Sequence, residues 1–182
     1  FIAGFQYPWE AERFYEQLRS RMVKFGLELE ENKSRIVESG RYLASLKAKR
    51  GESTRLGTFD FLGFTFYCGR TTKGNPWIMP KTSSKKFRQK VKEIKIWLYN
   101  NKEQKLGKLM YMLNVKLVGH YRYYGISFNS RMISNYKQQV RELLYKVLNR
   151  RSEKKSYTRE GFIEMMKYYK LVNPKIYYSL FC

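Results

Sequence analysis

Residues 58–69 read Thr-Phe-Asp-Phe-Leu-Gly-Phe-Thr-Phe-Tyr-Cys-Gly, and the reading of this stretch decides the fold. Aromatic and β-branched side chains fill it, as suits a strand on a pleated, packed surface. Alternation puts Phe59, Phe61, Thr65 and Tyr67 on one face and Leu62, Phe64 and Phe66 on the other. Both faces are apolar, so the stretch is expected to be covered on both sides. Gly63 weakens a strand at its centre. It marks either a kink in a core strand or a place where another backbone or a ligand comes close.

Working outward toward the N-terminus, residues 1–5 form a short apolar run expected to be a strand, the second half of a hairpin. Pro8 suits the first turn of a helix, and Glu10 and Glu12 complement its positive end. Ala11, Phe14, Tyr15, Leu18, Met22 and Phe25 follow at helical spacing, and Gly26 ends the helix. Residues 27–29 are predicted to be extended, 33–38 a second short strand, and 39–57 a polar, basic loop. Beyond the central stretch, a turn over 69–74 leads to a partner strand over 76–79. The first eighty residues therefore read as α+β.

After Pro80 the pattern becomes helical throughout. Phe87, Val91, Ile94 and Leu98 make one apolar stripe, while Lys85, Lys86, Arg88, Lys90, Lys92 and Lys95 crowd the rest of that helix. A second helix carries Leu106, Leu109, Met110, Leu113 and Leu117 and runs into Gly-His-Tyr-Arg-Tyr-Tyr-Gly at 119–125. A third carries Ile133, Tyr136, Val140, Leu143, Leu144 and Val147. Three amphipathic helices with short connections predict an antiparallel bundle. A basic connector follows, and Thr158 is placed to cap a fourth helix with Phe162, Ile163, Met166 and Tyr169 on its apolar face. The composition shifts near residue 80. The expected domains are 1–80, then a three-helix unit over 81–150, then the connector and last helix over 151–182.

Composition narrows the function. The 182 residues carry 37 Lys and Arg against 15 Asp and Glu, a net charge of +22. That excess calls for a polyanionic partner, most simply nucleic acid. Aromatics make up 17% of the chain, and aromatic residues mixed with basic ones suit unpaired bases and phosphates better than a membrane surface. No apolar run approaches the ~20 residues of a spanning helix. Cys68, Cys182 and His120 leave no zinc-ligand spacing, so no metal site is expected. Asp60 is the only aspartate. A two-metal phosphoryl-transfer site needs several convergent carboxylates, so this chain alone is not expected to build one. Asp60 reads as a local hydrogen-bonding partner, and His120 as a structural residue. The first residue is Phe within an expected strand, which reads as a fragment or a processed piece.

Three blocks, taken in order, are specific. Arg21 to Leu29 (R-M-V-K-F-G-L-E-L) is followed by Asn32-Lys33-Ser34. Gly40-Arg41 precedes Phe59-Asp60-Phe61-Leu62-Gly63-Phe64. Asn114 precedes Gly119 and Tyr123-Tyr124-Gly125. This order and spacing resemble the second half of a bacterial group II intron reverse transcriptase/maturase, over nearly the whole chain. The resemblance implies the end of a polymerase palm, with short antiparallel strands and a helix, followed by an all-α thumb and a C-terminal helix. The family's Tyr-Ala-Asp-Asp metal-binding turn is absent here.

By the same resemblance, Phe61, Leu62, Gly63 and Phe64 correspond to the primer grip, where a glycine lets the primer backbone approach. Lys33 corresponds to a catalytic lysine beside the incoming nucleotide, and Ser34 stands where the family commonly has Thr. The implied RNA contacts are Lys85, Lys86, Arg88, Lys90 and Lys92, then Arg122, Tyr123 and Tyr124, then Arg150, Arg151, Lys154 and Lys155. The tyrosines read equally as helix-packing core. Implied partners are intron RNA, an RNA template–DNA primer duplex and, in the parent enzyme, dNTPs with Mg2+ whose ligands lie outside this chain. A bacterial cytoplasmic setting follows. The alternatives are a non-catalytic RNA-binding or splicing module, and part of a retron or defence-type reverse transcriptase.

Overall fold

The structure, a computed structural model, describes residues 1–30, 34–40, 43–51, 56–150 and 157–180. Lys33, Arg151, Lys154 and Lys155 lie outside the described residues. The fold is α+β. Helix α1 (Pro8–Lys24) and short α2 (Leu43–Lys49) precede strands β1 (Phe59–Phe61), β2 (Phe64–Arg70) and β3 (Pro76–Thr82). Helices α3 (Ser84–Asn100), α4 (Leu106–Tyr124), α5 (Ser130–Leu148) and α6 (Arg159–Tyr168) follow. The strands form one antiparallel sheet in the order β1-β2-β3. The chain divides into two compact units: 1–59 with 67–78, and 60–66 with 79–182.

In the first unit, α1 begins as its sequence predicts. Pro8 occupies the first turn, and the Glu10 carboxylate accepts from the backbone N–H groups of Gln6 and Tyr7. It ends at Gly26, whose φ of 67° is the left-handed conformation that glycine adopts without strain. Residues 1–5 form no strand. The rings of Phe1 and Phe5 pack on Phe14 instead. Residues 34–38 also carry no strand pairing, and a helix, α2, occurs where a loop was expected. Leu, Ala and Lys make up most of that segment, and their helix propensity favours a short helix.

The second unit holds the core. Leu98 of α3, Leu109, Leu113, Leu117 and Tyr121 of α4, and Ile133, Val140, Leu144 and Leu148 of α5 are essentially inaccessible. All but Tyr121 and Leu148 are positions that the 3.6-residue period put on one face of each helix. Phe162 and Leu171 extend the same cluster, and Thr158 caps α6 by accepting from the Gly161 N–H at 3.1 Å. Ile163 is exposed, contrary to the expected apolar face, and Met165 packs in its place. Asn114 on α4 holds the chain beyond α6: it accepts from the Val172 N–H at 2.9 Å and donates to the Lys170 carbonyl at 3.0 Å. Past that point the Gly125 carbonyl accepts from the N–H groups of Tyr177 and Tyr178 at 2.7 and 3.1 Å.

The central stretch corrects the expectation of one kinked strand. Leu62 and Gly63 have φ of 47° and 80°. Positive φ at both central residues is the signature of a type I′ turn, whose twist matches the flanking strands. Residues 58–69 are therefore a tight hairpin, and Gly63 is its corner. Asp60 and Thr65 face each other across it, with the Thr65 hydroxyl donating to the Asp60 carboxylate.

Candidate nucleic-acid interface

The Leu62–Gly63 turn is fixed from two sides. The Ser83 N–H, at the start of α3, donates to the Gly63 carbonyl at 2.9 Å. The Tyr123 hydroxyl, near the end of α4, donates to the Leu62 carbonyl at 2.8 Å. Phe64, buried just after the turn, stacks on Tyr123 with ring centroids 6.0 Å apart and packs against Tyr124 at 5.3 Å. Both free carbonyls of a strained turn are thus satisfied, and its position is set by the two helices.

The turn closes one end of a groove of about 620 Å³. Lys86, Lys90, Glu93, Ile94 and Trp97 line one wall, at the i, i+4, i+7, i+8, i+11 spacing of a single face of α3. Lys116, Gly119, His120, Tyr123 and Tyr124 form the other wall, one face of α4, and Tyr136 of α5 contributes from beneath. A Cβ built on Gly63 would lie 3.6 Å from Lys86 Cγ and 3.1 Å from the Tyr124 hydroxyl. The hairpin corner and the lysine-rich helix therefore meet in one groove. Lys116 Nζ sits 5.0 Å over the Trp97 ring, joining the two walls by a cation–π contact.

The groove is cationic at neutral pH, and the charge is on lysines. His120 stacks on Tyr136 at 3.7 Å and 16°. Burial, with Lys90 nearby, lowers its pKa to about 4, so it is neutral. Burial raises the phenols of Tyr124 and Tyr136, and neighbouring Glu93 adds to both, so they stay protonated. The hydrogen bond from Lys90 holds the Glu93 carboxyl below its usual range. Three lysines thus face one carboxylate, among aromatic surfaces. Lysines among aromatic rings are groups that can meet phosphates and bases.

The expected site residues divide cleanly. Gly63, Leu62, Lys86, Lys90, Tyr123 and Tyr124 come together in the groove. Phe61 is half-buried on β1, and Phe64 lies in the core behind the turn. Lys85, Arg88 and Lys92 are exposed on other faces of α3, and Arg88 donates to the Ser84 carbonyl. Arg122 is exposed beside the groove without lining it. The two tyrosines split: Tyr124 is 4% exposed and packs in the core, and Tyr123 is 53% exposed and held in place. Arg150 bonds the Tyr99 hydroxyl and lies over its ring. Sequence reasoning missed Lys116 and Trp97. Lys116 stands four residues before His120 and seven before Tyr123, and that spacing was the available signal.

Among the described residues no group of three or more His, Cys, Asp or Glu could hold a metal ion. No helix among them is long and apolar enough to cross a membrane. Residues 84–169, from the first residue of α3 to the cap of α6, match the family model of the group II intron, maturase-specific domain. No curated protein and no solved structure matches the chain.

Proposed function

The chain carries the maturase-specific domain of group II intron proteins, and from that premise we propose that the groove between α3 and α4 is where this domain grips intron RNA. Lys86, Lys90 and Lys116 contact phosphates, and Tyr123 offers a ring to a base. In the longer reverse transcriptase that the sequence resembles, the same surface clamps the RNA template–DNA primer duplex. The Leu62–Gly63 corner then touches the primer strand, with Phe61 and Phe64 anchoring it. Lys33 belongs in this reading to the nucleotide-binding side, next to dNTPs and a Mg2+ held by carboxylates outside this sequence.

One observation carries the proposal: the glycine corner is tied by hydrogen bonds to the start of α3 and the end of α4, at the mouth of a lysine-lined groove. Rigid placement has a purpose when a strand must be positioned, because a shift of about 1 Å in a reacting group can cost roughly 100-fold in rate. An isolated structural hairpin has no need of a cationic groove beside it.

The test is fluorescence anisotropy of the chain on a structured intron RNA fragment across a salt series. Phosphate gripping predicts a linear fall of log affinity with log salt, by orders of magnitude between roughly 50 and 200 mM for a handful of contacts. Affinity that stays flat over that range overturns the proposal.

A further inference from the structure

Gly119 stands inside α4, one turn before Tyr123, and no contact among the described residues requires a glycine there. Its φ is ordinary for a helix, and a Cβ built on it would meet no atom within 4 Å. Gly125, just past the same helix, is the contrast: a Cβ there would fall 2.3 Å from the Tyr121 carbonyl oxygen and 2.4 Å from that of Lys175. Packing explains Gly125. It does not explain Gly119, which instead sacrifices helix stability relative to alanine.

The vacancy has a definite place. Gly119 lines the groove between Lys116 and Tyr123, opposite Lys86 and Lys90. Gly119 and Tyr123 stand one turn apart on the face of α4 that lines the groove. The Tyr123 ring stacks on Phe64, the Tyr124 ring packs edge-on against it at 4.8 Å, and the Tyr123 hydroxyl is tied to Leu62. The ring is exposed yet immobilised, and the residue next to it on the helix face has no side chain.

From this we infer that Gly119 is a notch for one unpaired RNA nucleotide, whose base stacks on Tyr123 while its phosphate meets the groove lysines. Every base has a π-face, so such a seat is tolerant of sequence and selective for unpaired over paired nucleotides. The inference rests on the RNA-binding reading above and names the form of RNA that this part of the groove takes.

The experiment compares two labelled RNA hairpins, identical except that one carries a short unpaired 3′ overhang and the other ends blunt. The full chain should prefer the overhang by about five-fold or more, the increment of one stacked base. Gly119→Ala should erase that preference while raising the melting midpoint by roughly 2–4 °C. Tyr123→Leu should erase it too, and the double variant should lose nothing further, since both changes remove the same contact. If Gly119→Ala keeps the full preference, the notch is refuted while RNA binding stands. If neither hairpin binds with salt dependence, it is the proposed function that fails. A normal melting curve for Gly119→Ala separates a blocked seat from a damaged fold.

Discussion

Asn129 and Thr82, far apart in sequence, exchange two hydrogen bonds in the interior. The Thr82 N–H donates to Asn129 Oδ1 at 2.8 Å, and Asn129 Nδ2 donates to Thr82 Oγ1 at 2.8 Å. The same amide nitrogen reaches the Tyr124 carbonyl at 2.8 Å. One side chain thus fastens the end of β3 and the end of α4 to the start of α5, and Ser83 and Tyr123, beside the first two of these ends, hold the Leu62–Gly63 turn.

Asn129 is fully buried, so removing its amide strands several polar groups where water does not replace it. Asn129→Ala should cost about 2–4 kcal/mol of stability. Asn129→Asp should be worse at neutral pH, because a carboxylate cannot donate to Tyr124 and its charge would be buried. Urea unfolding followed by circular dichroism measures both. A loss for Asn129→Ala no larger than that of a surface substitution would show that the interior there is wet.

Tyr121 presents the opposite case. It is inaccessible, and its hydroxyl has no hydrogen-bond partner. Burial drives its phenol upward, so it stays a neutral, unpaired donor. Tyr121→Phe removes the unpaired oxygen and leaves the ring in place. The expected result is a gain of about 1 kcal/mol, read as a higher urea midpoint at unchanged slope. A loss of similar size would mean that the hydroxyl has found a partner.

The helices were legible because burial and period agree: Ile133, Tyr136, Val140, Leu144 and Val147 recur at helical spacing, and each is buried. Thr158 was legible for the same local reason, a cap followed by an apolar run. The hairpin corner was not. Alternation across 58–69 reads the same whether the strand continues or reverses, and Leu-Gly lacks the Asn-Gly or Asp-Gly signature of a two-residue turn. Within the groove, Lys86 and Lys90 were visible as part of a basic run, but one-dimensional charge density could not separate them from Lys85, Arg88 and Lys92. Lys116 and Trp97 were hidden because their partnership spans two helices. Residues 1–5 read as a strand from composition alone, and composition does not supply a pairing partner.

His120 makes the stability depend on pH. Its pKa falls from an ordinary 6.5 to about 4 in the folded protein, chiefly by burial against Tyr136 and Tyr124, with Lys90 adding repulsion. Below 6.5 the unfolded chain takes up a proton that the folded chain refuses until about 4. The folded state therefore keeps this contribution intact above 6.5 and loses it as pH falls from 6.5 toward 4. His120→Phe preserves the stacked ring and removes the titration. The unfolding free energy of wild type should fall more steeply with acid than that of the variant, and the difference isolates His120 from the carboxylates. Parallel curves would contradict the burial.

The lysine-rich helix allows the groove to be separated from mere charge. Lys86 and Lys90 line the groove, and Arg88 and Lys92 are exposed outside it. Replacing either pair with alanine removes the same charge. If RNA responded only to the overall field, the two pairs would weaken binding alike, since all four sit on one helix and within about a Debye length or two of each other. Gripping in the groove predicts otherwise. The Lys86→Ala, Lys90→Ala double variant should reduce the log–log salt slope by roughly 1.4–1.8, two phosphate contacts' worth. The Arg88→Ala, Lys92→Ala variant should change it by much less. Stability should barely distinguish them, because the Lys90–Glu93 pair is a solvent-facing contact worth at most about 1 kcal/mol. Equal slopes for the two variants would move the RNA off the groove and onto the helix as a whole.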